Sequence, residues 1–251
     1  AYMYSYWTTN NLTNLIRIFS KNKEALDTIE GGLAYITVPL QQILHWLNRN
    51  TQQGSRKNIA AHYDIGNDLF KIMLDKTMMY SSAIFGDENM SLYDAQMNRL
   101  DVICKKLDLQ ASDELLEIGT GWGALSIYAA KNYGCHVTTT TISREQYNHT
   151  CERVEKEGLS NKITVLIKDY RHLNGKFDKL VSVEMIEAVG HQYYETYFNK
   201  CSELLKPTGM MLLQAITISD QQYEAAKTSV DFIKRYIFPG SCIPSVTAMQ
   251  Q

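Results

Sequence analysis

The stretch Glu117-Ile118-Gly119-Thr120-Gly121-Trp122-Gly123 decides the fold, because an apolar strand ends there in alternating glycines and a helix begins. Leu115 and Leu116 start an apolar run that is too short for a helix and predicts a strand buried on both faces. A strand, a glycine turn and a helix leave bare backbone N–H groups at the helix start, where a ligand can approach the main chain. The pattern therefore predicts a ligand-binding loop in an α/β protein.

The spacing of the glycines argues against a dinucleotide as this ligand. A dinucleotide loop has its third glycine one residue later and an acidic residue at the end of the next strand. Here the glycines occupy every second position, and the next predicted strand ends in the threonines of residues 138–141. On the loop alone, an ordinary turn of an α/β protein stays open as the alternative.

Composition limits the class of protein. The chain has 251 residues, of which 45% are apolar, enough for one sizeable core and an appendage. A net charge of −2 gives no electrostatic case for nucleic acid as a partner. The five cysteines lack a CxxC pair, which favours reduced thiols over disulfides or a metal site. No apolar run is long enough to span a membrane and no signal peptide is visible, so we expect a cytoplasmic protein.

Residues 1–57 predict a small helical segment before the main domain. Leu12, Leu15, Ile16 and Phe19 form an apolar helical stripe, and Pro39 suits the first turn of a second helix that continues through Leu47. A linker around residues 54–56 follows. Residues 58–251 then form the second predicted domain.

Predicted strands and helices alternate through this second domain. The strand candidates are residues 113–118, 135–141, 162–167, 178–184 and 209–218, and the helix candidates between them are residues 123–133, 143–157 and 191–205. The last helix should stop at Pro207-Thr208-Gly209. Such alternation predicts a mainly parallel sheet with helices on both faces and a ligand across the C-terminal ends of the strands.

Two polar clusters are candidates for chemistry. His62 and Asp64 are two residues apart and would point to different sides of a helix, which favours capping over a two-ligand metal site. Glu184 and Glu187 are three apart on a predicted first helical turn and would share one face, where one could bind and one catalyse. Complementing the helix macrodipole is the alternative role for such an acid.

Five motifs in order give the chain a specific resemblance. They are His62-Tyr63-Asp64-Ile65-Gly66-Asn67-Asp68, Tyr80-Ser81-Ser82-Ala83, the glycine loop, Glu184-Met185-Ile186-Glu187-Ala188-Val189-Gly190 and residues 236–245 with their Phe-Pro-Gly. Together they resemble the cyclopropane fatty acyl phospholipid synthase family. The resemblance runs from about Arg56 to the end of the chain, and the glycine loop alone would mark only the wider methyltransferase superfamily.

The resemblance implies a Rossmann-like class I methyltransferase that uses S-adenosylmethionine. Such an enzyme adds a methylene across a cis double bond of a phospholipid acyl chain, through a carbocation that a bound bicarbonate deprotonates to close the ring. It also implies peripheral contact with membrane phospholipids at the inner face of the membrane, and leaves a homodimer open. The last sheet strands of the fold and a downstream Tyr are expected to be missing from this chain.

The resemblance also assigns site residues. Cofactor contacts would come from the positions Tyr80, Ser81, Glu117, Gly119, Gly121, Trp122, Thr141, Ile142, Gln146, Asp169, Tyr170 and Glu184. Glu187 would hold bicarbonate, assisted by Gln214 and by backbone groups near Ser82 and Ile216. Two positions depart from the family, because many members have Cys at Ser82 and His at Gln214.

Three rival functions stay open at this point. Some relatives stop after methylation, and the neutral amide of Gln214 favours a fatty acid C-methyltransferase with a methyl-branched product. A small-molecule methyltransferase acting on nitrogen or oxygen is the second rival. The third is a cofactor-binding remnant without turnover.

Overall fold

A computed structural model describes residues 2–22, 50, 51, 54 and 67–250 of the chain. Its contacts divide the chain into two units, Ala1–Leu44 and His45–Gln251. The predicted domain boundary after residue 57, the predicted second helix from Pro39 to Leu47 and residues 62–66 of the motif that begins with His62 lie outside the described residues. These three stay predictions.

The described part of the first unit contains the predicted amphipathic helix. A 3-10 turn spans Tyr2–Tyr4, and helix α1 spans Leu12–Lys21. The side chain of Asn11 caps α1 by accepting a hydrogen bond from the backbone N–H of Asn14. Of the predicted stripe, Ile16 and Phe19 are exposed to solvent.

The second unit alternates strands and helices as predicted. Its helices are α2 (Asn67–Met73), α3 (Leu92–Lys106), α4 (Ala124–Tyr133), α5 (Arg144–Lys156), α6 (Tyr194–Leu204), α7 (Asp220–Thr228) and α8 (Val246–Gln250). Its strands are β1 (Glu114–Ile118), β2 (His136–Thr141), β3 (Ile163–Ile167), β4 (Phe177–Val183) and β5 (Leu205–Gln214). A π-helical turn, Ile233–Ile237, lies between α7 and α8.

The five strands form one parallel sheet in the order β3-β2-β1-β4-β5. On one face Leu115 packs in a core cluster with residues of α3 and α4, and on the other Leu116 packs in a second cluster with Tyr197 and Leu204 of α6. The predicted parallel sheet with helices on both faces is confirmed. Because β2 and β4 flank β1 on opposite sides, the order of strands reverses at β1, where α/β sheets bind ligands.

The predicted boundary between the last helix and the last strand was wrong. Helix α6 ends at Leu204, and β5 begins at Leu205 and contains Pro207. Leu205 pairs with Phe177, but the next pair is Met210 with Lys179, so the register shifts between them. This irregularity accommodates Pro207, because proline has no N–H to donate to a regular ladder.

Within the described residues, no helix combines the length and the apolar character that a membrane span requires.

Candidate active site

A cavity opens at the C-terminal ends of the strands. Its walls come from the turns that follow β1, β2, β3 and β4, and from residues 78–81 before α3. Because parallel strands all end at the same edge of the sheet, these turns lie side by side. The sheet topology therefore brings distant segments of the sequence to one site.

The glycine loop after β1 adopts a conformation that favours glycine. Gly119, Gly121 and Gly123 have φ angles of 103°, 52° and 81°, in the left-handed region that side chains rarely adopt. A Cβ atom at Gly123 would lie 2.6 Å from Cγ2 of Thr150, whereas one at Gly121 would meet no atom within 4 Å. Gly123 thus serves close packing against α5, and Gly121 leaves open space beside the cavity that it lines.

Glu117 is a buried carboxylate at the end of β1. Its Oε2 accepts hydrogen bonds from Ser126 Oγ and from Thr139 Oγ1, the latter at 2.6 Å. Burial raises its pKa to about 7, against the opposing effects of these hydrogen bonds and of the Arg99 charge. Near neutral pH, Glu117 therefore titrates while inside the protein.

Glu184 joins three separate segments of the chain. Its Oε1 accepts hydrogen bonds from the backbone N–H of Ser82 at 3.0 Å, the Ser82 hydroxyl at 2.6 Å and Nε2 of Gln214 at 2.8 Å. Its φ of 47° places it in the left-handed region, which is uncommon for a residue with a side chain. A strained backbone with a well-bonded carboxylate is typical of a functional site.

Glu187 lies in a different environment. It belongs to the 3-10 turn Ile186–Ala188, and its Oε1 accepts from the backbone N–H of Ile216 at 2.5 Å. Its Oε2 is buried and has no hydrogen-bond partner among the described residues. Burial raises the pKa of Glu187, and the nearby charge of Glu184 adds to this.

The prediction that these two acids share the first turn of a helix was wrong. Glu184 precedes the 3-10 turn in a left-handed conformation, and only Glu187 lies within the turn. Their carboxylates consequently have separate hydrogen-bond partners.

Comparison with protein families identifies the fold. Residues 50–251 match the model of the family described as Mycolic acid cyclopropane synthetase. The chain belongs to this family. Membership confirms the resemblance found in the sequence, and the Rossmann-like class I methyltransferase fold is confirmed with it.

Two relatives support the match. The chain is 35% identical to tuberculostearic acid methyltransferase UfaA1 of Mycobacterium tuberculosis over 99% of this chain and 59% of the relative. It is 46% identical to cyclopropane-fatty-acyl-phospholipid synthase of Escherichia coli over 80% of this chain and 51% of the relative. The chain thus spans little more than half the length of these relatives.

A solved structure shows the same architecture. The crystal structure of mycolic acid cyclopropane synthase CmaA1 complexed with SAH and CTAB has a TM-score of 0.72 to this chain and 32% sequence identity. The similarity covers 78% of this chain and 72% of that one.

The cavity separates the predicted site residues into two groups. Every position predicted to contact the cofactor lines the cavity, from Tyr80 and Ser81 to Asp169, Tyr170 and Glu184. The predicted catalytic residues Glu187, Ser82, Gln214 and Ile216 are not among its lining residues. Ser82 and Gln214 contact Glu184, while Ile216 contacts Glu187.

Sequence reasoning missed four polar residues of the cavity wall, Asn50, Arg99, Lys168 and Arg171. Arg171 forms a two-point ion pair with Asp169, with Nε and Nη2 at 2.9 and 2.7 Å from the carboxylate oxygens. Arg99 carried a usable signal, because it lies one residue before Leu100 on the buried side of α3. A charged residue at a core position of an amphipathic helix indicates a function or a buried partner.

Proposed function

We propose that this chain forms the catalytic part of an enzyme that transfers a one-carbon group from S-adenosylmethionine to the cis double bond of a phospholipid acyl chain. The product would be a cyclopropane ring. The observation that carries the proposal is the cavity at the switch point, lined by every position at which the family resemblance places a cofactor contact. The relative CmaA1, crystallised with SAH, supports the same cofactor class.

The residues present fit such a cofactor. Open space at Gly121 lets the backbone approach the methionine half closely. Thr141 and Gln146, which are joined by a hydrogen bond of 2.8 Å, would face the ribose and adenine, with Asp169 and Tyr170 beside the adenine. When bound, S-adenosylmethionine supplies an electrophilic methyl group. A weak alkene nucleophile requires an aligned site from which water is excluded, and most residues of the cavity wall near Glu117 are buried.

We assign Glu187 to the proton-removal step, as the residue that would hold the bicarbonate base. Its unpartnered Oε2 is an acceptor in need of a donor, and the hydroxyl of a bicarbonate ion would satisfy it. Because its pKa is raised, this carboxylate takes up the proton of the bicarbonate hydroxyl more readily near neutral pH than an exposed carboxylate would. When bound, bicarbonate supplies the base for the new methyl group. The amides of Ser82 and Ile216 donate to Glu184 and Glu187, so these contacts do not support their predicted role at bicarbonate.

A second candidate function is a C-methyltransferase with a methyl-branched product. Gln214 favours it, because a neutral amide that donates to Glu184 cannot share a proton as an imidazole can. The relative UfaA1, named a tuberculostearic acid methyltransferase, lends support.

Lipid analysis tests the proposal and separates the two products. The complete reading frame containing this chain is expressed in a bacterial host that lacks cyclopropane lipids, and the acyl chains are analysed by mass spectrometry. We expect acyl chains that are heavier than the unsaturated precursor by one CH₂ group, with the ring distinguished from a methylene branch by fragmentation. A saturated methyl branch would carry two further hydrogens, so its mass alone separates it from the ring. Unchanged lipids, together with methylation of polar amines or hydroxyls, would contradict the proposal.

We further propose peripheral contact with the inner face of the membrane in the cytoplasm. Helix α1 exposes Ile16 and Phe19, with exposed fractions of 57% and 47%, and Trp7 is also exposed. An apolar helical stripe of this kind binds a lipid surface without spanning it.

Changing the exposed stripe should weaken binding to vesicles. Replacing Ile16 and Phe19 together by Ser should lower the bound fraction of protein about tenfold, because two apolar side chains no longer enter the interface. Co-sedimentation with phospholipid vesicles measures this, and Thr13→Ser, at an exposed polar position of the same helix, is the control. Equal sedimentation of both variants would indicate that the stripe has no membrane role.

A further inference from the structure

Arg99 is a buried cation in the cavity wall. Only 2% of its surface is exposed, and it lines the cavity together with Ser81 and Gly119. It forms no salt bridge with any carboxylate in the described ranges. Its Nε is buried and has no hydrogen-bond partner there.

The neighbours of Arg99 use only part of the hydrogen-bonding capacity of its guanidinium group. Nη1 donates to Ser81 Oγ at 2.5 Å and, at the long distance of 3.4 Å, to Gln214 Oε1, while Nη2 contacts the sulfur of Met79. A guanidinium removed from water without a paired anion is costly, and a bound anion would offset that cost. The cavity wall at Arg99 is therefore suited to a negative group.

Ser81 supplies a second donor beside Arg99. Its hydroxyl oxygen accepts from Arg99, which leaves the hydroxyl proton available to a ligand, and its carbonyl is held by Nε2 of Gln96 at 2.8 Å. Of the other cations on the cavity wall, Arg171 is already paired with Asp169 and Lys168 is only partly buried. Glu117 and Glu184 of the same wall attract Arg99 without forming an ion pair with it among the described residues, so its guanidinium keeps capacity for an anion beside the oriented hydroxyl.

We propose that Arg99 binds the α-carboxylate at the amino-acid end of the cofactor and orients Ser81 as a second donor to it. This inference rests on the proposed use of S-adenosylmethionine. It assigns the recognition of the carboxylate to a side chain of α3, outside the glycine loop. A guanidinium provides the planar, charge-assisted hydrogen bonds that a carboxylate accepts best.

Two ligands that differ only in the carboxylate test the assignment. Calorimetry measures the affinities of the folded protein for S-adenosylmethionine and for its decarboxylated form. The wild type should prefer the carboxylated ligand roughly tenfold to hundredfold, the fold-change of one charge-assisted hydrogen bond. Arg99→Gln should abolish this preference, and Arg99→Lys should retain part of it because the charge is kept.

Arg153→Gln is the matched control. Arg153 donates to the carbonyl oxygens of Thr77 and Trp122, so its loss disturbs the same region without removing a cavity-lining cation. This variant should lower the affinity for both ligands equally and keep the preference for the carboxylated one. If Arg99→Gln lost affinity for both ligands equally, the inference would be overturned. A wild type that binds both ligands with the same affinity would also overturn it, and that measurement does not depend on whether any variant folds. Failure of the wild type to bind either ligand would instead overturn the proposed cofactor.

Discussion

Glu187→Gln should reduce ring formation about a hundredfold or more, the usual loss when general-base catalysis is removed. The substitution keeps the size of the side chain, and the glutamine oxygen can still accept from the backbone N–H of Ile216. It places an N–H donor where the buried, unpartnered Oε2 now lies. Cofactor affinity should survive, because Glu187 does not line the cavity.

Mass spectrometry of the products distinguishes loss of deprotonation from loss of the whole reaction. If methyl transfer persists in Glu187→Gln, methylated but unclosed acyl chains should accumulate. Adding bicarbonate to depleted enzyme should restore the wild type and have much less effect on the variant. Glu195→Gln, an exposed position on α6, is the control and should behave like the wild type. An enzyme indifferent to bicarbonate, with Glu187→Gln near full activity, would refute the assignment.

Glu117 should make the stability of the fold depend on pH. Burial raises its pKa from 4.5 to about 7 in the folded state, so the folded protein binds this proton more tightly than the unfolded chain does. The resulting stabilisation is complete below about pH 4.5 and is lost as the pH rises to about 7. Its size is about 3 kcal/mol, from about 1.4 kcal/mol for each unit of pKa.

This pH dependence of stability can be measured by urea unfolding. The wild type and Glu117→Gln are compared between pH 4.5 and about pH 8. The free energy of unfolding of the wild type, relative to the variant, should fall across the window and then level off. Taking the difference cancels the titration of groups that the two proteins share. Glu114→Gln, exposed on the same strand, is the control, and its curve should run parallel to that of the wild type. A pH-independent difference for Glu117→Gln would show that the carboxylate stays ionised when buried.

Local sequence patterns predicted the elements that carry the site. Ser91 caps α3 by accepting from the backbone N–H of Asp94, as serine commonly does at the start of a helix. The apolar stripe of α6, from Tyr194 to Leu204, is buried, as its helical spacing indicates. Such features depend on residues within about four positions of one another, so a single sequence contains the information needed to predict them.

The partners of the two acids at the end of β4 could not be predicted in this way. The hydrogen bond from Ser82 to Glu184 joins residues 102 positions apart, and the one from Ile216 to Glu187 joins residues 29 apart. Sequence spacing placed both acids on one helical face, but the chain enters the 3-10 turn only after Glu184. A backbone in the left-handed region at Glu184 separates the two carboxylates, and tertiary contacts hold it there.

By itself, the sequence determined the family, the alternation of strands and helices, and the glycine loop, because these follow from short motifs and periodicity. Only the tertiary structure decided which polar side chains lie together on the wall of the cavity. Arg99 lies 18 residues from Ser81 and 115 from Gln214, yet it contacts both. The raised pKa of Glu117 and the absence of a hydrogen-bond partner for Nε of Arg99 among the described residues likewise depend on burial. Burial arises only when helices from distant parts of the chain pack on the sheet.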